Sequence, residues 1–365
     1  NELWVSDGTE AGTTMVKDIR PGNTGSYPGA LTAVGSVFYF SANDGVNGSE
    51  LWKSDGTEAG TVMVKDIYSG ANGSFVRNFT VAGTQMFFTA QDGTHGEELW
   101  VTDGTPAGTV LIKDIRFGAD GSAPSQLTVV GTTLYFTAYD EVLGRELWKS
   151  NGTETGTVAV LELVPGVDYT LELEDPVSLF GLLYFVYNDS VHGAELWKTD
   201  GTEAGTVMVK DIRQGVLGSS IKDLYVVNDT LYFAAEGDEA GLELWMSRGT
   251  EESTLRVSDI VPGMEGSAPQ RMLALGGKLL FTASDADVSN RLWGLSMVPD
   301  PPLDPGSRDR TPTSITWVWQ DDSFDESGFM VFADPGNGAP ATIRTLTLPN
   351  ELSWVHTGLT PNTEF

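Results

Sequence analysis

Six aspartates, Asp44, Asp92, Asp140, Asp189, Asp238 and Asp285, each stand seven or eight residues before a tryptophan. Hard carboxylate oxygens on polar loops are the ligands Ca²⁺ takes, so their recurrence raises a ring of calcium-binding loops, with extra acid from Glu141, Glu239 and Asp287. None of the segments matches an EF-hand loop or a calcium-binding nonapeptide. The competing reading is an Asp-Gly loop whose aspartate bonds its own backbone amides in water. A second acidic group, Glu172, Glu174 and Asp175, has the composition for general acid–base hydrolysis of a glycosidic bond, although drift within one repeat produces the same pattern. Histidine occurs three times, at His95, His192 and His356, the first two at related positions. No metal triad, no Ser-His-Asp arrangement and no catalytic residue is assigned on this basis.

What must position these residues is a repeat. Leu-Trp recurs at Trp4, Trp52, Trp100, Trp148, Trp197, Trp245 and Trp293, in steps that are equal except for one extra position between Trp148 and Trp197. So regular a period marks one supersecondary unit used many times. A full unit reads as two β-rich runs, Ala30–Val34 and Val37–Ser41, around a Gly35-Ser36 turn. The Asp44 loop, a third run at Glu50–Ser54, the Asp55–Gly60 turn and a fourth run at Thr61–Ile67 follow. Apolar residues never sustain a helical period. Four short antiparallel strands per unit match a propeller blade, whereas the coils of a β-solenoid are much shorter. Leu51 and Trp52 are adjacent and must point to opposite faces, so both faces are buried between neighbours, and the tryptophans are packing residues.

The expected fold is therefore all-β: a β-propeller of four-stranded blades over residues 1–297, seven in number or alternatively six. Six would close if the Leu3-Trp4 and Val16–Ile19 runs joined Met272–Leu275 and Leu279–Thr282, leaving Leu292-Trp293 surplus. Seven use every Leu-Trp if sequence upstream of Asn1 supplies the absent strands. The Asp44-type loops should share a face with the connections between blades, and the hairpin turns should occupy the other. Asp7, Asp55, Asp103, Asn151, Asp200 and Arg248 hold one position in the turn after the third strand, where Asp or Asn accepts amide bonds and the next Gly takes positive φ. Because Arg248 and Ser253 break that pattern, their hairpin should differ. Lysine-aspartate pairs such as Lys65-Asp66 close the fourth strand, where charge on an outer edge blocks edge-to-edge pairing.

A Pro-rich linker, residues 298–307, separates the repeats from residues 308–365, where Ser314–Gln320 and Gly328–Phe332 read as strands of a second domain. The chain carries a formal charge of −30, which repels nucleic acid and anionic lipid. No run is long and apolar enough to span a membrane. With no cysteine, disulfides and thiolate metal sites are excluded, which for a secreted protein favours a prokaryotic over an animal source. The chain opens in mid-repeat and stops where a further strand is expected, so we expect sequence on both sides of it.

The phrase Glu50-Leu-Trp-Lys-Ser-Asp-Gly-Thr57, with Gly60-Thr61 and Lys65-Asp-Ile67, resembles the bacterial ELWxxDGT-repeat proteins. The resemblance implies secreted or cell-surface multidomain proteins with propeller domains and no common enzymatic activity. Residues 308–365 resemble the first two-thirds of a fibronectin type III domain. Trp319 stands at the core tryptophan and Leu359–Phe365 at the tyrosine corner, where Phe365 replaces the usual tyrosine. The expected role is a non-catalytic extracellular or cell-surface module that binds glycan, protein or another copy of itself through the loop-rich face. A carbohydrate-active propeller enzyme, acting as hydrolase or lyase, and a subunit of an extracellular filament are the alternatives. Apart from calcium, no cofactor is expected.

Overall fold

The computed structural model describes residues 1–142, 144–160, 176–285 and 290–296, and beyond them the backbone of the strands 303–311, 314–320, 330–333, 342–346 and 353–357. Glu172, Glu174, Asp175, Asp287 and the Leu359–Phe365 segment lie outside the described residues. Among those described there is no helix, and hence none long and apolar enough to cross a membrane. The chain is all-β and consists largely of successive four-stranded antiparallel sheets, consistent with the blades of a β-propeller.

Each sheet is a simple meander, named here by its tryptophan. The Trp52 sheet contains Gly29–Val34, Val37–Asn43, Ser49–Ser54 and Val62–Lys65, paired in chain order. The Trp100 sheet repeats this with Arg77–Ala82, Gln85–Gln91, Glu97–Thr102 and Val110–Lys113. The Trp148, Trp197 and Trp245 sheets keep the same order and begin at Ser125–Val130, Val177–Leu179 and Lys222–Val227. Before them stands a two-stranded pair, Leu3–Val5 with Thr14–Lys17. The Trp293 sheet has three strands, Gln270–Leu275, Lys278–Ala283 and Arg291–Ser296.

The chain divides into two compact units: Asn1–Leu231 with Gly249–Glu251, and Tyr232–Arg248 with Glu252–Phe365. In the first, register and burial explain the Leu-Trp phrase. A second-strand phenylalanine faces each tryptophan across the sheet, as in Phe40–Trp52, Phe88–Trp100, Phe136–Trp148 and Phe185–Trp197. Phe88 and Trp100 then pack against Leu51, Val64 and Ile67 of the preceding sheet. Likewise Phe136 and Trp148 pack against Leu99 and Ile112, and Phe40 and Trp52 against Leu3 and Val16. Leu and Trp of one strand thus serve two different inter-sheet cores, as their alternation requires. Trp4 is the exception in its setting, 58% exposed. The first strands of consecutive sheets lie side by side in series from Gly29–Val34 to Lys222–Val227.

In the second unit Phe281 faces Trp293, and Arg291–Ser296 takes the third-strand place beside Lys278–Ala283. The later strands form two antiparallel sheets. Leu303–Thr311, Ser314–Gln320 and Ser353–Thr357 make one, with the central run in the middle; Met330–Ala333 and Thr342–Leu346 make the other. The first of these strands starts at Leu303, inside the stretch read as linker, because extended Pro-containing backbone can serve an edge.

Candidate functional site

The loops that carry Asp44 and Asp92, between second and third strands, are each wedged between two inter-sheet connections. Gly48 lies so close to the Gly73 backbone that a Cβ would meet it at 2.4 Å, and Gly96–Gly121 and Gly193–Gly218 repeat the contact at 2.3 and 2.2 Å. From the preceding connection a long side chain leans onto the loop: Arg20 over Gly45, Tyr68 over Gly93, and Arg116 beside Glu141 at 3.8 Å. Arg116 also stacks on Tyr139 with 4.7 Å to the ring centroid. The loop-rich end of the sheets is therefore a tightly built surface.

Within it the aspartates are used locally. Asp44 Oδ1 accepts from the amides of Val46 and Asn47, both at 2.8 Å, and Oδ2 from the Asn47 side-chain amide at 2.7 Å. Asp92 accepts from the amides of Thr94 and His95, and its Oδ2 meets His95 Nδ1 at 2.7 Å. Asp189 repeats this with Val191 and His192, its Oδ2 2.6 Å from Nδ1. Asp140 accepts from Val142, and Asp285 pairs with Arg291 at 2.7 Å. Asp238 is partnered as well. Partial burial pushes the carboxyls of Asp44, Asp92 and Asp189 upward, but these hydrogen bonds outweigh it and hold all three below their ordinary value. The carboxylate bonds in turn raise His95 and His192. Among the described residues, no three His, Asp or Glu side chains are arranged to hold a metal ion. In each Asp–His pair Nδ1 faces the aspartate of its own loop, a capping arrangement.

Another carboxylate, the glutamate that precedes Leu-Trp, is buried at successive junctions. Glu50 is fully buried and accepts from Ile67 N at 2.9 Å, Tyr68 N at 3.3 Å and Ser74 Oγ at 2.7 Å. Glu98 bonds Arg116 N, Ser122 N and Ser122 Oγ; Glu195 bonds Ile212 N, Arg213 N and Ser219 Oγ. Glu2 with Ser26 and Glu243 with Ser267 follow the same plan. Burial dominates over these donors and pushes Glu50 and Glu98 up to about 7, and Glu195 upward as well. The signal was present as a constant spacing, since a serine follows each of these glutamates at the same separation: Ser26, Ser74, Ser122, Ser219 and Ser267. In the divergent unit that place is Thr170, outside the described residues.

On the opposite end, the Asp55 turn behaves as turn chemistry requires. Asp55 Oδ1 accepts from Thr57 N and Thr57 Oγ1, and Thr57 Oγ1 accepts from Gly60 N. Asn151 does the same work for Thr153. A Cβ on Gly60 would fall 2.0 Å from the Asp55 carboxylate, and Gly12, Gly108, Gly156 and Gly205 are equally constrained. Where Ser253 replaces this glycine, Arg248 replaces the aspartate, and Ser253 Oγ accepts from Arg248 N at 3.2 Å. The fourth-strand lysines have a role beyond guarding an edge. Lys17, Lys65 and Lys113 donate to Thr61, Thr109 and Thr157 carbonyls of the next sheet at 2.8, 2.7 and 3.0 Å. Third-strand lysines Lys53, Lys149 and Lys198 donate to Gly104, Gly201 and Gly249 carbonyls at 2.9, 2.6 and 2.7 Å.

A further set of polar side chains gathers where the first strands start. Arg77 grips Glu97 through two parallel N–H···O bonds, one of 2.7 Å, while Glu97 also accepts from Thr89 at 2.8 Å. Asn78 donates to the same Thr89 hydroxyl at 3.3 Å. In the next sheet Arg145 Nη1 bonds Ala123 O, Ser125 Oγ and Thr137 Oγ1, each at 3.2 Å.

No family model matches this chain, and no curated protein does. Among solved structures it is similar to a puromycin hydrolase at 10% identity, covering 88% of this chain and 62% of that one, with a TM-score of 0.40. It is similar to a prolyl endopeptidase at 10% identity, covering 92% and 50%, with a TM-score of 0.45. TolB from Acinetobacter baumannii matches at 10% identity over 70% and 62%, with a TM-score of 0.34. The chain spans less than two thirds of each of these structures.

Proposed function

We propose that this chain is a non-catalytic binding or scaffolding module of a secreted or surface-exposed bacterial protein of the ELWxxDGT-repeat type, with its ligand face at the loop-rich end of the sheets. The observation that carries this reading is the fate of the chemically capable side chains. The Glu50-type carboxylates are buried ties, the Asp55-type groups close turns, and the Asp44-type groups cap their own loops. What faces solvent is a rigid surface with mixed polar and aromatic character. Glycan, a protein ligand or a second copy of the chain is the class of partner for such a face. In the same reading the sheets are seven propeller blades, supported by the third-strand place that Arg291–Ser296 takes beside Lys278–Ala283. Residues 308–365 are the first part of a fibronectin type III-like sandwich, supported by the three-plus-two strand arrangement.

The test is turnover against binding. The intact chain is incubated with chromogenic glycosides and polysaccharides, and product release is followed beside retention on the same polymers. Retention without hydrolysis is expected. Hydrolysis abolished by the triple change Glu172→Gln, Glu174→Gln and Asp175→Asn, with an unchanged melting curve, would establish the carbohydrate-active enzyme instead. Ordered fibres forming from the purified chain would point to the filament subunit.

A further inference from the structure

Tyr27 and Phe75 occupy the same place in consecutive units, at equal distances after Trp4 and Trp52. That place is held in left-handed backbone in every described copy: φ is 51° at both, 46° at Ala123, 50° at Ser220 and 48° at Ala268. Left-handed geometry is cheapest for glycine or asparagine and disfavours a bulky side chain. Small Ala or Ser fills the other copies. Yet two adjacent sheets carry an aromatic ring there, 61% exposed at Tyr27 and 62% at Phe75. Neither ring enters an inter-sheet core, so neither backbone economy nor burial accounts for it. The outward-facing ring is itself the feature.

Its surroundings define what it would meet. Three residues later a second left-handed position, at Ala30, Asn78 and Gln126, coincides with a bulge at the start of each first strand. Bulges re-aim side chains, and here they turn Asn78 and Gln126 towards the Thr89 and Thr137 hydroxyls. Two residues after Phe75 comes Arg77 of the Arg77–Glu97 pair, whose guanidinium is largely exposed although doubly held. Such a pair is pre-organised, with N–H donors and carboxylate lone pairs left over. The first strands of the two sheets run side by side, so the aromatic faces and this polar fork share one end of one strand row.

We infer that Tyr27, Phe75 and the Arg77–Glu97 pair form a subsite for a neutral hexopyranose unit of an oligosaccharide. A pyranose presents a flat C–H face for the electron-rich ring faces and equatorial hydroxyls that both donate and accept, matching a fork that offers both. A uronate or sulfated sugar fits less well, because the chain carries a net charge of −30 and the Arg77 guanidinium is already neutralised by Glu97. This subsite rests on the binding role proposed above and names its ligand class.

The intact chain is titrated calorimetrically with cellohexaose, maltohexaose, mannohexaose and chitohexaose, with an oligogalacturonate as the charged comparison. At least one neutral hexamer is expected to bind, more tightly than the uronate. Tyr27→Ala and Phe75→Ala should each weaken it by about tenfold, as truncation of an aromatic anchor does. Glu97→Gln should weaken it too. Phe117→Ala, which removes another exposed ring 86% open to solvent, should leave binding unchanged. All variants are checked for an unaltered melting curve. Failure of all four neutral sugars to bind, or unchanged binding by Phe75→Ala and Tyr27→Ala, overturns the subsite. A protein ligand retained by Phe75→Ala with no sugar bound would overturn the subsite while leaving the binding role intact; hydrolysis of the bound hexamer would instead overturn the non-catalytic role.

Discussion

At the Asp55 turn a single carboxylate oxygen gathers an amide and a hydroxyl, and the glycine five residues on gives it room. The two positions are coupled by volume, which the Arg248–Ser253 copy displays as a paired exchange. Gly60→Ser alone should destabilise the chain by about 1–3 kcal/mol, because the new Cβ and hydroxyl collide with a held carboxylate. Adding Asp55→Arg should recover at least half of that loss in urea unfolding. Costs that simply add would show that the two sites do not speak to each other. At the opposite end Asp44 and Asp92 were legible as loop residues from the glycine that follows each, but their partners were not. A sequence shows that Asp92 and His95 are three apart; it does not show that Oδ2 and Nδ1 face one another at 2.7 Å.

Among the elements, the third strand does most to fix its neighbours. Its tryptophan packs on the preceding sheet, its leucine on the following one, and its glutamate ties the connection that leads there. Trp100→Ala should cost about 3–5 kcal/mol, measured by denaturant unfolding, because a large ring with its indole N–H bonded to Ala90 O leaves a cavity between two sheets. Glu98→Gln keeps its side-chain oxygen for the Arg116 and Ser122 amides and turns its NH2 to Ser122 Oγ, so it should cost less than about 1 kcal/mol, whereas Glu98→Ala, which leaves those amides without their acceptor, should cost about 1–3 kcal/mol. The same glutamates set a pH dependence. Their folded-state values lie above the ordinary carboxyl value, Glu50 and Glu98 at about 7. Their contribution is complete below the ordinary glutamate range and fades as pH rises through about 7. Raised His95 and His192 act in the same sense. The melting temperature should therefore fall between about pH 5.5 and about pH 8.5, and Glu98→Gln should flatten part of that fall. A rise would contradict the buried-acid account.

These elements were largely readable beforehand. Alternation with Gly and Asp-Gly breaks located the four strands of the Trp52 unit to within a residue or two, since each strand is short and bounded by turns. Contacts reaching into the next unit were less visible. Lysine at Lys65 looks like a solvated edge charge until the Thr109 carbonyl is placed 2.7 Å away. The Glu50–Ser74 tie was written as a fixed separation, but a separation becomes a bond only when the connection folds back.

The whole molecule carries 51 acids against 21 bases, and most lysines described are spent on carbonyls of a neighbouring sheet. The net charge of −30 leaves acid charge weakly countered over the surface. Raising ionic strength should stabilise the chain by screening this self-repulsion, seen as a higher melting temperature in about 0.5 M than in about 0.02 M sodium chloride. Calcium at equal ionic strength should add nothing beyond sodium, because the Asp44-type oxygens are engaged in their own loops; a calcium-specific rise with saturable heat in calorimetry would refute this.

The lysine bonds all run one way. The ammonium belongs to the earlier sheet and the receiving carbonyl to the later one, from Lys17–Thr61 through Lys198–Gly249. A joint of that kind asks nothing of a neighbour except the shared turn, so each unit is an interchangeable part. Copying or excising one complete unit, from one Leu-Trp to the next, leaves every remaining joint matched, while a cut that is out of phase strands a donor on one side and an acceptor on the other. An in-phase exchange of units accordingly preserves the lysine joint at each new junction, although a closed ring of blades would still fix how many units it holds.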